Sequence, residues 1–252
     1  MKLFSHQCLK LGIVLGLITC IFIDPRSASA AYLTPYLNAT RGRPVCTSQP
    51  IRSVMMRSKY AALTFDDGPW PYNTTAIVNH LKSYGAKATF FMVSNNALNY
   101  PEITRSVYQS GMEVATHAKT HAYYSSSKIA AEIGPSIWDI YNVTGKGVRS
   151  WSFRPPGLTR GWEIDAKVKY YGLCNVHTDY DIGDWKSPRI SSWTICDRFK
   201  RSLHPGYIAL LHDGGSHINT VNAMPCILSY AKSQGYQLVT VSQLLTHGTH
   251  AH

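Results

Sequence analysis

The chain has 252 residues, of which 12% are aromatic and 15% charged, and its formal net charge is +11. This length is enough for a full hydrophobic core, and the composition excludes a wholly disordered protein. The positive charge suits anionic surroundings such as acidic wall polymers. The Lys and Arg residues are dispersed and no nucleic-acid-binding motif is visible, so we expect no nucleic-acid partner.

Residues 1–30 are typical of a secretory signal peptide. Lys2 and Lys10 flank the start of an apolar run over residues 11–23, and an Ala-Ser-Ala cleavage site follows at residues 28–30. The run is short for a helix that spans a bilayer, although an uncleaved membrane anchor is the alternative. We therefore expect a secreted, extracellular protein without a stable membrane anchor, whose charge would favour association with a cell wall.

Residues 31–59 contain three prolines and predict an irregular lead-in. From residue 60 to residue 246 the chain alternates between strand-like and helix-like segments. The strand-like runs cover residues 61–65, 88–93, 113–116, 150–153, 173–176, 207–212 and 236–239. The helix-like stretches cover residues 74–84, 101–110, 127–141, 162–171, 191–202 and 220–234. This alternation implies a parallel sheet with helical crossovers, and a His-containing tail follows at residues 247–252.

The first predicted strand ends in two adjacent carboxylates, Asp66 and Asp67. An apolar run over residues 61–65 precedes them, and Gly68-Pro69 prevents the strand from continuing. A solvated turn is the alternative interpretation, because Asp and Gly are ordinary turn residues.

His117 and His121 follow the third predicted strand and stand four residues apart. On a helical turn this spacing would point both imidazoles in the same direction. Imidazole suits zinc and neighbouring metals such as cobalt, and Asp67 would complete a set of three protein ligands. Three ligands leave room for water and substrate, as in a catalytic metal site, whereas the alternative is a pair of surface histidines.

Three further motifs follow later strands. A rigid turn with two prolines carries Arg154, which it would hold for a bidentate contact with a carboxylate. Asp184 stands beside Trp185 in the next motif, and the sixth predicted strand ends in His212. Taken singly, these features are also compatible with a surface turn, a loop with a buried Trp and a capped strand end.

The candidate site residues follow five of the predicted strands: the first, third, fourth, fifth and sixth. An open doubly wound sheet usually concentrates its site at one switch point, whereas a barrel collects residues from many strand ends onto one face. We therefore expect a single α/β domain over residues 60–246, folded as a distorted (β/α) barrel with about seven parallel strands.

The set of motifs resembles the polysaccharide deacetylases of carbohydrate esterase family four, which share the NodB-homology domain. Five motifs of that family are found in order, over residues 64–69, 117–121, 154–157, 181–185 and 210–213. The secretion signals and the single domain also resemble those of fungal chitin deacetylases. The resemblance implies a distorted barrel and a metal-dependent hydrolase that removes N- or O-acetyl groups from sugars.

Carried over position by position, the resemblance assigns the catalytic base and the metal ligands. Asp66 would be the base, and Arg154 would orient it. Asp67, His117 and His121 would bind the metal, which polarises the acetyl carbonyl and lowers the pKa of its bound water.

The resemblance also assigns a general acid and substrate contacts. His212 would protonate the departing amine, and Asp184 would tune the pKa of His212. Trp185 and Leu210 would line the acetyl pocket. A backbone N–H near Gly157 would help to hold the oxyanion.

Two positions depart from the family pattern. Gly157 stands where the family usually has Tyr, so the backbone N–H is kept but the aromatic wall is lost. Ala118 stands where the family usually has Ser or Thr, so a hydrogen bond that fixes the loop would be missing. Both departures bear on rate and substrate choice more than on reaction type.

We expect a secreted monomeric enzyme that hydrolyses the N-acetyl groups of chitin or chitooligosaccharides to glucosamine units and acetate. It would carry one divalent ion, zinc or else cobalt. The alternatives are an acetylxylan esterase on the same fold and a catalytically inactive carbohydrate-binding protein. The intact acidic and histidine residues of the motifs argue against the inactive protein.

Cys46, Cys174, Cys196 and Cys226 follow the signal peptide, and their spacing fits neither a zinc knuckle nor a CxxC redox pair. An even number in a secreted chain predicts disulfides, with three possible connectivities. In a nearly closed barrel the lead-in would neighbour the last helix, so we expect Cys46 to pair with Cys226 and Cys174 with Cys196. Three sequons predict N-glycosylation, at Asn38, Asn73 and Asn142.

Overall fold

The computed structural model describes residues 46, 49–122, 124–145 and 150–250. The predicted signal peptide, the part of the lead-in before Cys46 and the sequon at Asn38 lie outside the described residues. Within these ranges, no helix combines the length and the apolar character needed to cross a membrane.

Seven parallel strands form one sheet, which curls into a half-barrel surrounded by helices. These strands are β2 (Tyr60–Asp66), β3 (Ala88–Met92), β4 (Glu113–Thr116), β5 (Ser152–Phe153), β6 (Cys174–Asn175), β7 (Ile208–His212) and β8 (Gln237–Leu238). They run in the order β6-β5-β4-β3-β2-β7, and β8 pairs with the start of β2. A separate antiparallel pair consists of β1 (Val54–Met55) and β9 (Thr249–His250). The arrangement confirms the predicted α/β domain of the distorted-barrel type.

The helices lie mainly between the strands, as predicted. They are α1 (Asn73–Ser83), α2 (Ser94–Asn99), α3 (Pro101–Gln109), α4 (Ser126–Thr144), α5 (Trp162–Tyr170), α6 (Ser192–Ser202), α7 (Ile218–Ser233) and α8 (Val241–His247). The structure adds α2 and α8 to the prediction. A capping box between Thr240 and Gln243 begins α8, and this sequence signal could have indicated it.

The central strand β2 positions the candidate site. Its residues 61–66 are all buried, as expected for a strand that parallel neighbours and helices cover on both faces. It pairs with β3 on one side and with β7 on the other. The register sets Asp66 beside His212, so two predicted site residues meet at the carboxyl ends of adjacent strands.

The described part of the lead-in is more regular than predicted. Ile51 forms a parallel bridge with Val176, and Ser53 forms an antiparallel bridge with Tyr207. The first bridge places the lead-in beside the segment that follows β6, the second beside the start of β7, and the pairing of β1 with β9 joins it to the end of the described chain.

The disulfides join Cys46 to Cys174 and Cys196 to Cys226, so the predicted pairing is wrong. The prediction placed the lead-in beside the last helix, whereas the bridge at Ile51 places it beside β6, which contains Cys174. Cys196 on α6 and Cys226 on α7 have a Cα–Cα distance of 6.1 Å, because these two helices pack against each other.

The two described sequons lie in different surroundings. Asn73 is 5% exposed, and its Nδ2 donates a hydrogen bond to the carbonyl oxygen of Gly215. The burial and the hydrogen bond of this side chain argue against a glycan at Asn73 in the folded protein. Asn142 is exposed on α4, so glycosylation there stays a prediction.

We expect non-reducing peptide mapping to recover the pairs Cys46–Cys174 and Cys196–Cys226. In the chain-entropy model, replacing both cysteines of the first pair by Ala lowers the free energy of unfolding by about 5 kcal/mol, since that pair spans 128 residues. The same change in the second pair, which spans 30 residues, lowers it by about 4 kcal/mol. Denaturant unfolding measures both losses. A Cys46–Cys226 peptide would contradict this connectivity.

Candidate metal and catalytic site

Asp66 lies at the end of β2 and is 2% exposed. Nη1 of Arg154 donates hydrogen bonds to Oδ1 of Asp66 (2.8 Å) and to the hydroxyl oxygen of Thr64 (2.7 Å). The contact with the carboxylate is single and not bidentate as predicted, because Nε and Nη2 donate to the carbonyl oxygens of Val176 and His177. Arg154 is fully buried, so it holds the Asp66 carboxylate in one orientation and balances its charge.

Asp67, His117 and His121 converge at the same edge of the sheet, with one ligand atom of each within 4.8 Å of the others. Nε2 of His117 is 3.5 Å from Oδ1 of Asp67, and Nε2 of His121 is 3.3 Å from the same oxygen. Oδ1 of Asp67 is a buried atom without a hydrogen-bond donor in the described part of the chain. The structure thus brings the three predicted ligands together around an unsatisfied oxygen.

The protonation of His117 suits a metal ligand. Nδ1 of His117 is 2.7 Å from the carbonyl oxygen of Arg154, so Nδ1 carries the proton and donates it. Burial lowers the pKa of His117 from 6.5 to about 3, against the opposing charge of Asp67. The lone pair of Nε2 therefore faces the carboxylate oxygen of Asp67. These two electron-rich atoms repel each other unless a cation lies between them, so the three residues fit a divalent metal.

The segment between the two histidines, residues 117–121, forms a loop and not the helical turn that the spacing suggests. Ala118 and His121 have φ angles of 65° and 54°, and Asp67 has a φ angle of 74°. Left-handed backbone is uncommon for residues other than Gly and persists only where the surroundings hold it. The ligand positions therefore depend on contacts from elsewhere in the fold.

Glu132 on α4 supplies such contacts. Its Oε2 accepts hydrogen bonds from the backbone N–H groups of Lys119 and Thr120, and its Oε1 accepts one from the Thr120 hydroxyl. The carbonyl oxygen of Ala118 accepts a further bond from the N–H of Ser94 at the start of α2. The loop is therefore anchored although Ala118 has no hydroxyl group.

His212 is paired with Asp184. Nδ1 of His212 is 2.8 Å from Oδ1 of Asp184, and the backbone N–H of His212 donates to Oδ2 over 2.7 Å. The Thr220 hydroxyl also donates to Oδ2. Burial lowers the pKa of His212, but the charge of Asp184, the hydrogen bond to it and the charges of Asp66 and Asp67 together raise it from 6.5 to about 9. The imidazole is therefore protonated at neutral pH.

The residues predicted to contact substrate differ in exposure. Leu210 lies on β7 two residues before His212 and is 5% exposed. Trp185 is 54% exposed, and its Nε1 donates a hydrogen bond to Oδ2 of Asp181. Gly157 is exposed in a short 3-10 turn with a φ angle of 61°, which Gly adopts without steric cost.

Asp213 is a buried carboxylate to which the sequence analysis gives no role. Its Oδ2 accepts a 2.5 Å hydrogen bond from the Thr74 hydroxyl, and its N–H donates to the carbonyl oxygen of Asp66. Burial raises the pKa of Asp213 from 3.8 to about 7. A Cβ atom at Gly68 would lie 2.2 Å from Oδ2 of Asp213, so the loops after β2 and β7 can approach only with Gly at position 68.

Comparisons with known proteins agree with this geometry. The model of the polysaccharide deacetylase family matches residues 54–176. A peptidoglycan-N-acetylglucosamine deacetylase of Bacillus cereus is 36% identical over 196 residues, which cover 75% of this chain and 89% of that protein. A chitooligosaccharide deacetylase of a Bradyrhizobium species is 30% identical over 209 residues, which cover 75% of this chain and 90% of that protein.

A solved structure is also similar. The family 4 carbohydrate esterase from Streptomyces lividans, in complex with acetate, superposes with a TM-score of 0.65 and 31% identity, covering 71% of this chain and 91% of that one. These identities extend over most of each relative, and they agree with the family match. The chain belongs to the polysaccharide deacetylase family.

Proposed function

We propose that this protein is a secreted zinc-dependent deacetylase that hydrolyses the N-acetyl groups of β-linked N-acetylglucosamine chains, with chitin oligosaccharides as substrates. One observation carries the proposal: a single edge of the sheet combines a carboxylate held by Arg154, three residues that fit a metal, and a protonated histidine held by Asp184. Hydrolysis of an amide needs a base, an electrophile and an acid, and this edge offers a group for each.

The residues of the site have separate roles in the proposed reaction. A zinc ion bound by Asp67, His117 and His121 would polarise the acetyl carbonyl and lower the pKa of a nearby water. Asp66 lies outside this ligand set, so its carboxylate is free to accept the proton of the attacking water. The backbone N–H of Gly157 would donate to the developing oxyanion.

His212 completes the reaction by giving its proton to the departing nitrogen. Without a proton the nitrogen would have to leave as an amide anion, which is a very poor leaving group, so amide hydrolysis depends on a positioned acid. Asp184 keeps the His212 proton in place at neutral pH, and Asp184 is itself held by the Thr220 hydroxyl. The amine then leaves as a neutral product and acetate remains to dissociate.

Amide substrates are favoured over the acetyl esters of xylan. An ester has a more reactive carbonyl and depends less on a strong acid, whereas here the buried carboxylate of Asp184 keeps His212 protonated through its charge and a hydrogen bond to the imidazole. The names of the two similar bacterial proteins also support N-acetylglucosamine units as the substrate.

The proposed function predicts acetate release from N-acetylglucosamine oligomers, faster than from acetylated xylan at equal acetyl concentration. Dialysis against a chelator should abolish the release, and zinc should restore it more fully than cobalt. Glycan strands of peptidoglycan are tested as a third substrate, since they carry the same N-acetyl sugar. A preference for xylan would identify an esterase, and the absence of release from all three substrates would identify a binding protein.

Asp66→Asn should keep the zinc but lower turnover by more than the ~10²–10⁴ typical of one proton transfer, because the attacking water also loses its orientation. The Asn oxygen can still accept the hydrogen bond from Arg154, but the buried Arg154 loses its counter-charge, so denaturant unfolding must show that the variant is folded under the assay conditions. Metal analysis and single-turnover acetate release measure the two effects. Asp197→Asn, in a surface ion pair with Arg201, is the matched control. Near-normal turnover of Asp66→Asn would disprove the assignment of the base.

Asp184→Asn should move the alkaline limb of the pH–rate profile to lower pH. The raised pKa of His212 keeps its imidazole protonated up to about pH 9. In the variant the charge of Asp184 is lost, so the effect of burial, which lowers the pKa of His212, becomes the larger one. At pH 8 the rate should fall at least about tenfold relative to the native enzyme, with a smaller loss at pH 6. An unchanged alkaline limb would show that His212 is not the acid.

Glu132→Gln should weaken zinc binding by about 10–100-fold, because the loop that carries His121 loses charge-assisted anchors. Competition with a chromogenic chelator measures this affinity. Glu102→Gln, at an exposed position on α3, should leave it unchanged. Equal zinc affinities in both variants would mean that the loop does not depend on Glu132.

A further inference from the structure

Gly157 has no side chain, yet the space beside it is filled. A Cβ atom built at Gly157 would lie 3.0 Å from both Cδ1 and Cε1 of Tyr124. These distances are shorter than ordinary carbon–carbon contacts, so a side chain at position 157 and the present Tyr124 ring would compete for the same space. The aromatic ring here comes from the loop before α4 and not from the turn after β5.

The Tyr124 ring also contacts the candidate metal site. Tyr124 and His121 pack edge to face, with ring centroids 5.9 Å apart and an angle of 86° between the rings. His121 in turn has its Nε2 3.3 Å from Oδ1 of Asp67. Tyr124 therefore contacts both a residue of the candidate metal site and the exposed turn that carries Gly157.

Tyr124 is 63% exposed although it adjoins the site. A tyrosine that served only to pack the loop would gain stability from burial, whereas this ring keeps most of its surface open to solvent. An exposed flat ring with a polar edge is suited to contact the apolar face of a sugar ring while its hydroxyl group stays hydrated.

We propose that Tyr124 forms the aromatic wall of the sugar-binding cleft and determines how tightly the N-acetylglucosamine chain binds. This inference rests on the proposed function, and it assigns the wall to a different loop from the one that carries Gly157. The glycine and the tyrosine are then complementary, because a side chain at position 157 would force the ring to shift from its present position.

A competing explanation is that Tyr124 only supports His121 through the edge-to-face contact. The two roles differ in what they change. A support for His121 would alter zinc affinity, whereas a wall of the cleft would alter the KM for sugar and leave zinc affinity unchanged. Removing a contact that is made equally in the bound substrate and in the transition state raises KM without lowering kcat.

The experiment measures kcat and KM for acetate release from the N-acetylglucosamine tetramer, together with zinc affinity, in zinc-loaded full-length protein. Tyr124→Ala should raise KM by about tenfold, with kcat changed by less than about threefold and zinc affinity unchanged. Tyr124→Phe keeps the ring and should remain within about threefold of the native KM. Tyr170→Ala is the control, because Tyr170 is 64% exposed and also packs edge to face with a neighbouring ring.

Each outcome decides the inference. An unchanged KM in Tyr124→Ala, a loss in Tyr124→Phe equal to that in Tyr124→Ala, or a fall in zinc affinity that accounts for the activity loss would overturn it. Native protein that releases no acetate would instead overturn the proposed function, and the inference with it. Active native protein with a normal KM in Tyr124→Ala would overturn the inference alone.

Discussion

The candidate site depends on one buried ion pair, between Arg154 and Asp66. A fully buried guanidinium group costs several kcal/mol of desolvation unless its charge is balanced and its donors are bonded. Arg154 meets this requirement with partners from separate parts of the chain: Asp66 and Thr64 on β2, and the backbone of Val176 and His177 after β6. The ion pair can form only when these strand ends are aligned, so the orientation of the carboxylate depends on the folded half-barrel.

Two histidines at this edge of the sheet have opposite protonation states for physical reasons. His117 donates a hydrogen bond from Nδ1 to a backbone carbonyl oxygen, and burial keeps the ring neutral, as a metal ligand must be. His212 faces the carboxylate of Asp184, whose charge outweighs the effect of burial and keeps the ring protonated. The group that faces Nδ1, a carbonyl oxygen or a carboxylate, thus contributes to whether each imidazole is neutral or protonated.

Strained backbone is concentrated at the metal-binding edge, where Asp67, Ala118 and His121 all have positive φ angles. Unfavourable conformations of this kind persist only where other contacts determine them. Glu132 holds the histidine loop, and Nδ2 of Asn96 on α2 donates a hydrogen bond to the carbonyl oxygen of Asp67. The ligands are therefore preorganised by helices that the metal would not contact.

The sequence by itself determined the order of strands and helices, because the apolar periodicity and the Gly and Pro positions are local signals. It also indicated Asp66, His117 and His212, since each ends or directly follows a strand whose end is readable from its apolar run. Contacts between distant segments could not be read in this way. The disulfide of Cys46, the anchor at Glu132 and the ring of Tyr124 over Gly157 were decided by tertiary structure, because each joins segments whose proximity depends on the register and curvature of the sheet.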